Sequence, residues 1–389
     1  MTYCIGWKTD NAVILAADAA LTSDITDKLI FKDGRTSFEE DSVKRDSGKI
    51  VEERGLKLFK LKNLIFTYSG LSTAAQAIAD TLNDELTRGT ACGDAINIAL
   101  ASNISAPYQI AIICAFTENK SITLISFNAN GDGKIIEHDD IIQLGSIPEY
   151  FKENTADYLK QSYVGGDSAH TKMAKLLGVL QAYGRHYNIM EMGVGGAFSS
   201  ICLNNNGISW QPDILYLVNF QNKEKNFLVS TCVRYDCFLT VSPMMSVRKC
   251  FANVPTTQIR SEETTRKYTW AGDAARHQHD RGKFDYVVLL NGDFPVVIIL
   301  EMRRKLKHDF LWIKPLVSKD AAALEIRSHP KLVALRGEPL VENGGPIPTV
   351  HYIIYIKPRD GNIIKEKIKQ RQDAEYMQAR GGRIKYTYY

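Results

Sequence analysis

The chain opens MTYCIGWKTDNAVILAADAALTS (residues 1–23). Two short apolar stretches, Tyr3–Trp7 and Ala12–Ala17, flank the turn Lys8-Thr9-Asp10-Asn11, a pattern that predicts a β-hairpin. It sets a small hydroxyl residue, Thr2, at the start of the first strand. A carboxylate, Asp18, follows sixteen residues later, at the end of the second. Thr2 has two readings. It is simply where a strand begins, or Met1 is removed and Thr2, with a free amine, becomes a nucleophile. Asp18 by itself reads equally well as a turn-capping carboxylate.

Working outward, residues 24–56 are charged and irregular and read as an exposed insertion. KLFKLKNLIFTYSG (57–70) reads as two further strands ending in a tight glycine turn. Leu71, Ala75, Ile78, Leu82 and Leu86 recur at helical spacing, and a second helix is expected around 94–101. Strands are expected at 108–116, 121–127 and 135–144, helices at 148–161 and 168–186, and a strand at 197–203. Strands, two helices, strands, two helices and strands in that order predict two sheets packed face to face with helices outside, not a βαβ crossover fold.

Composition bounds the class. The chain has 389 residues, 44% hydrophobic and 24% charged, which suits a globular protein of two domains. No apolar run approaches the ~20 residues that span a bilayer. A start without a basic and then an apolar region predicts no signal peptide, so a cytoplasmic location is expected. Seven cysteines without a CxxC pair predict buried thiols instead of disulfides or zinc. The net charge of +4 is uneven. Residues 1–240 carry 22 Lys+Arg against 28 Asp+Glu, whereas 241–389 carry 26 against 16. A boundary is therefore expected near 245–255, giving domains 1–248 and 249–389, the second a smaller basic α/β domain for which nucleic acid is a candidate partner. No GxxxxGK[ST] phosphate loop occurs, so no ATPase is recognisable.

The spacing of Thr2 and Asp18, with the wording VILAAD, resembles the proteasome β-subunit family of amino-terminal-nucleophile (Ntn) hydrolases. Within it, the chain looks most like the bacterial proteasome-like (Anbu-type) peptidases, with gaps over roughly residues 2–220. The resemblance implies a four-layer αββα sandwich and a threonine-type peptidase without a cofactor. It makes Thr2 the nucleophile, Asp18 the carboxylate that orients a basic partner, and Lys57 that partner, with Lys49 and Lys60 as runners-up. Alone, Lys57 reads as a solvated lysine. Gly70 takes the place of the oxyanion-hole N–H. Leu21, Thr22 and Tyr68 would line the substrate pocket. QLGSIPEYF supplies Ser146 as the supporting serine, and EMGVGG supplies Glu191 in place of the family's aspartate. The family also implies a homo-oligomer, peptide or protein substrates and a separate ATPase unfoldase. The sequence departs from its pattern at Ala19, Ala20, Ile147, Glu191 and Val194.

The second half has its own resemblance. KFDYVVLLNGDFPVVIILEMRRK (283–305) is similar to the hairpin of PD-(D/E)xK nucleases, with Arg303 where those enzymes carry lysine. A three-residue loop Asn291–Asp293 would face Leu290 with Phe294 and set Glu301 opposite Lys283 and diagonal to Asp285. Two carboxylates so placed could hold Mg²⁺. A two-residue turn would put Asp285 and Glu301 on opposite faces. The alternative to a peptidase is thus an inactive scaffold carrying a Mg²⁺-dependent nuclease or nucleic-acid-binding module. The histidines of RHQHD (276–280) read as surface residues.

Overall fold

A computed structural model of the chain describes residues 2–24, 36–38, 43–44, 49–53, 55–103, 110–119, 121–163, 165–219, 227–235, 238–243, 249–252, 284–291, 296–301, 311–314, 321–326, 331–337, 351–356 and 383–388. The fold is mixed α+β and rich in antiparallel sheet. In chain order come β1 (Tyr3–Thr9), β2 (Ala12–Asp18), β3 (Ala20–Asp24), β4 (Val43–Lys44), β5 (Lys49–Glu53), β6 (Leu58–Lys60) and β7 (Leu64–Gly70). The helices α1 (Ser72–Arg88) and α2 (Cys92–Asn103) follow, then β8 (Ile110–Glu118), β9 (Ser121–Asn128), β10 (Ile135–His138) and β11 (Ile141–Gly145). Next are α3 (Glu149–Ser162), α4 (Ala169–His186), a 3₁₀ turn at Ile189–Met192, β12 (Phe198–Asn204) and β13 (Gly207–Trp210).

Two five-stranded antiparallel sheets organise this half. One runs β11-β1-β2-β12-β13, the other β10-β9-β8-β7-β6. β2 is central and reads AVILAAD, with all seven residues buried, as a strand covered on both faces must be. One face of the first sheet meets α3 and α4. There the Tyr3 ring lies edge-on to Phe151 at 5.4 Å and Trp7 edge-on to Tyr163 at 6.1 Å. Its other face meets the second sheet so closely that a Cβ on Gly6 would fall 2.8 Å from the Ile113 side chain. The far face of the second sheet carries α1 and α2, which bury Ala75, Ile78 and Leu82 against Phe66 and Ile112. Aliphatic and aromatic burial of this extent is the main stabilising term.

Two expectations change. The strand expected over 135–144 is two strands, because Asp139-Asp140 turn the chain from one sheet to the other: β10 pairs with β9, β11 with β1. Residues 24–56 are not wholly exposed and irregular. β3, β5 and β4 form a small sheet with Val51 buried, and Phe38 is buried with its ring 5.3 Å from Tyr216.

Beyond β13 the chain runs through β14 (Ile214–Asn219), β15 (Phe227–Tyr235), β16 (Phe238–Pro243), β17 (Lys249–Ala252), β18 (Tyr286–Asn291) and β19 (Val296–Glu301). Then come β20 (Leu311–Lys314), β21 (Ala321–Ile326), β22 (Lys331–Gly337), β23 (His351–Ile356) and β24 (Arg383–Tyr388). A seven-stranded sheet, β17-β16-β15-β14-β18-β19-β22, takes strands from both sides of residue 248. β20-β21-β23-β24 form a four-stranded sheet. The larger sheet lies against α4: Val288, Leu290, Val297 and Ile299 join the core of the first half, and the Thr171 hydroxyl bonds the Tyr286 hydroxyl at 2.9 Å. α4 is therefore enclosed between two sheets, with its residues 171–184 all buried. Among the described residues no helix is long and apolar enough to cross a membrane.

Candidate active site

Thr2, Asp18 and Lys57 meet at one end of the two stacked sheets. The β1–β2 hairpin brings the first two together, pairing Cys4 with Ala17 so that the Tyr3 N–H donates to Asp18 Oδ1 at 3.0 Å. Lys57 comes from the other sheet, immediately before β6, where its carbonyl accepts from the Thr67 hydroxyl at 2.9 Å. Its Nζ donates to Asp18 Oδ1 at 2.8 Å and to Thr2 Oγ1 at 3.0 Å. Thr2 is 2% exposed, and Lys57 and Asp18 are fully buried.

A buried ammonium needs such partners. Burial pulls the Lys57 pKa below its ordinary 10.5, and the Asp18 charge and hydrogen bond oppose that shift without cancelling it. Asp18 is fixed on its other oxygen as well: Oδ2 accepts from the N–H groups of Ala20 at 3.1 Å and Gly195 at 3.0 Å. With four donors the carboxylate has one orientation, and it aims Lys57 at the Thr2 hydroxyl. Beside them the Cys4 thiol is pushed up to about 12, chiefly by burial and then by the Asp18 charge, so it stays protonated at neutral pH.

Two glycines shape the approach. Gly145 pairs with Tyr3 and has φ +122°, and a Cβ there would stand 1.9 Å from the Thr2 carbonyl oxygen. Only glycine fits beside Thr2. Gly70, exposed at the end of β7, has φ +117°.

Ser146 follows Gly145 and is exposed. Glu191 is exposed on the 3₁₀ turn and accepts from Asn188 Nδ2 at 2.6 Å. Tyr68 is buried beneath α1, 6.2 Å from the Phe59 ring, and its hydroxyl pKa is raised by burial and then by the charges of Asp18 and Cys4. Leu21 and Thr22 are half-buried on β3, and no hydrogen-bond partner of Thr22 Oγ1 is found among the described residues. Lys49 and Lys60, the runners-up to Lys57, are exposed.

At the second candidate site the register pairs Leu290 with Val297 and Tyr286 with Glu301, a longer connection than either turn considered. Glu301 thus stands opposite Tyr286, and Asp285 lies just before β18. The Asp285 carboxylate accepts from the Asp213 N–H at 3.0 Å, which ties β14 to β18. Arg303, Lys283 and the histidines of 276–280 lie outside the described residues. Among the described residues no group of three or more His, Cys, Asp and Glu side chains is arranged to hold a metal.

Sequence reasoning passed over Gly145 and Glu53, and read Gly195 only as half of a Gly-Gly pair that allows close strand approach, not as a donor to Asp18. Gly145 and Gly195 meet Thr2 and Asp18 through backbone contacts that leave no side-chain signature. Glu53 is 3% exposed, in the stretch expected to be solvated. Comparison with protein families and with curated proteins adds no name: no family model matches the chain, and no curated protein matches it.

Proposed function

We propose that the chain is an Ntn hydrolase of the proteasome-like kind, built on the four-layer αββα sandwich, and that Thr2 is its nucleophile once Met1 is removed. One observation carries the reading: a buried lysine bridges the hydroxyl of residue 2 and a carboxylate that four donors hold in place.

The chemistry follows from the groups. The freed Thr2 amine accepts the hydroxyl proton as Oγ1 attacks the carbonyl of a peptide bond. The Lys57 charge, 3.0 Å from Oγ1, lowers the cost of placing negative charge there and lowers the basicity of the amine toward neutrality. Asp18 keeps that charge in position. The Gly70 N–H, next to Ser69 whose hydroxyl donates to the Thr2 carbonyl at 3.5 Å, is the candidate donor to the oxyanion. The protonated amine then gives its proton to the leaving nitrogen, an ester forms on Thr2, and water hydrolyses it. No metal takes part in these steps. Peptide or protein is accordingly the substrate class.

The test is hydrolysis of a panel of fluorogenic peptides by the full chain. Thr2→Ala should reduce the rate at least about 10³-fold, while chelators leave the wild-type rate unchanged. A rate that survives in Thr2→Ala, or dies with chelation, would overturn the reading.

A further inference from the structure

We infer that Glu53 is a positioning residue for Asp18, and that it couples the segment Thr36–Phe38 to the Thr2 site. The inference rests on the hydrolase reading for its catalytic consequence and on geometry alone for the coupling.

Glu53 ends β5, next to the strand that leaves the site: it pairs with Ala20, and the Gly55 N–H bonds the Ala19 carbonyl at 3.1 Å. Its two oxygens serve two different segments. Oε2 accepts from Ser37 twice, from the N–H at 2.8 Å and from the hydroxyl at 2.7 Å. Oε1 accepts from the Ala197 N–H at 2.7 Å. Two residues before Ala197, Gly195 gives its N–H to Asp18 Oδ2, and its carbonyl accepts from the Ala19 N–H at 3.2 Å. Between them Gly196 has φ +71°, and a Cβ there would come within 3.0 Å of Glu53 Cγ. Glu53 therefore sets where the Gly195–Ala197 loop stands, and that loop orients Asp18. α4 supports the loop from the other side, since Gln181 donates to the Gly196 carbonyl at 3.2 Å.

The segment at Ser37 is anchored independently. Phe38 is buried against Tyr216, and its carbonyl accepts from Arg185. A buried carboxylate needs all its donors, and loss of one is costly. The Ser37–Glu53–Ala197 link is thus a strap from the insertion to the catalytic carboxylate.

Glu53→Gln puts an amide N–H₂ against a donor, either at Ser37 or at Ala197, so the bridge breaks on one side. The experiment is amide hydrogen exchange of the full chain, read by mass spectrometry for wild type, Glu53→Gln and Ser37→Ala. Glu53→Gln is expected to speed exchange about tenfold, the factor that ~1.4 kcal/mol represents, in peptides covering 16–22 and 193–198, with β8–β9 unchanged. Ser37→Ala, which keeps the carboxylate and removes one donor, is expected to give the same pattern at smaller amplitude and serves if Glu53→Gln does not fold. Faster exchange confined to residues 36–38 would overturn the inference. The second readout is the pH dependence of Thr2 modification by a peptide epoxyketone. With Asp18 loosened, Lys57 loses the charge that holds its pKa up, and the alkaline midpoint moves down in the variant. An unmoved midpoint would refute a positioning role. If wild-type Thr2 takes no adduct, the hydrolase reading fails, and the exchange pattern still decides whether Glu53 controls the Asp18 loop.

Discussion

Burying the Lys57 ammonium costs several kcal/mol of lost hydration, and Asp18 and Thr2 are the groups that offset it. Two consequences separate by pH. Because folding lowers the Lys57 pKa, the unfolded chain binds more protons between that lowered value and 10.5, so this residue's contribution to stability rises with pH across that window. Activity runs the other way. The site needs Lys57 charged, so the alkaline limb of the pH–rate profile is expected to fall at a pH below 10.5, and a limb at or above 10.5 would show that Lys57 does not control the rate. At this scale the sequence was legible where spacing along a hairpin decides geometry. The interval from Thr2 to Asp18 fixes which residues meet across the β1–β2 turn, whereas Lys57, on the other sheet, was singled out only by the family resemblance. Glu191 and Ser146 came from the resemblance alone: they lie in a 3₁₀ turn and a bend, where no strand register ties a side chain to its neighbours.

Among the elements, β11 shows how an edge strand defines the site. It ends at Gly145, whose positive φ and contact with the Thr2 carbonyl leave no room for a side chain. Gly145→Ala is expected to destabilise the fold by roughly 1–3 kcal/mol, the cost of backbone strain with overpacking, and to displace Thr2. Urea unfolding measures the first effect, and crystallography of the variant shows the second. A stability within 0.5 kcal/mol of wild type would mean that β11 is not fixed against β1. The element order from β1 to β12, apart from β3–β5 and the break between β10 and β11, was readable from apolar periodicity, because α1, α2, α3 and α4 are long and carry apolar residues at helical spacing. The break inside 135–144 did carry a signal that the apolar reading passed over: Glu137-His138-Asp139-Asp140 separates Ile135-Ile136 from Ile141-Ile142, and the two halves join different sheets.

In the whole molecule the boundary drawn from charge and the boundary drawn from packing do not coincide. The change to basic composition comes after residue 240, whereas the seven-stranded sheet already begins at Ile214. Charge reports the solvated surface, and the packing of Val297 and Ile299 on Gly178 of α4 is invisible to it. A Cβ on Gly178 would lie 3.0 Å from Ile299 and 3.1 Å from Val297, so Gly178→Leu is expected to push the larger sheet from α4 and lower the melting temperature by several degrees. Differential scanning calorimetry should show the regions on either side of α4 unfolding in one transition. Two separate transitions in wild type would contradict the shared core.

The central claim is that Thr2 becomes an amino-terminal nucleophile, and the intact mass of the purified chain, with and without a peptide epoxyketone, tests it most directly. The account predicts loss of one methionine and one adduct per chain, abolished in Thr2→Ala. A chain that keeps Met1 and takes no adduct would contradict it.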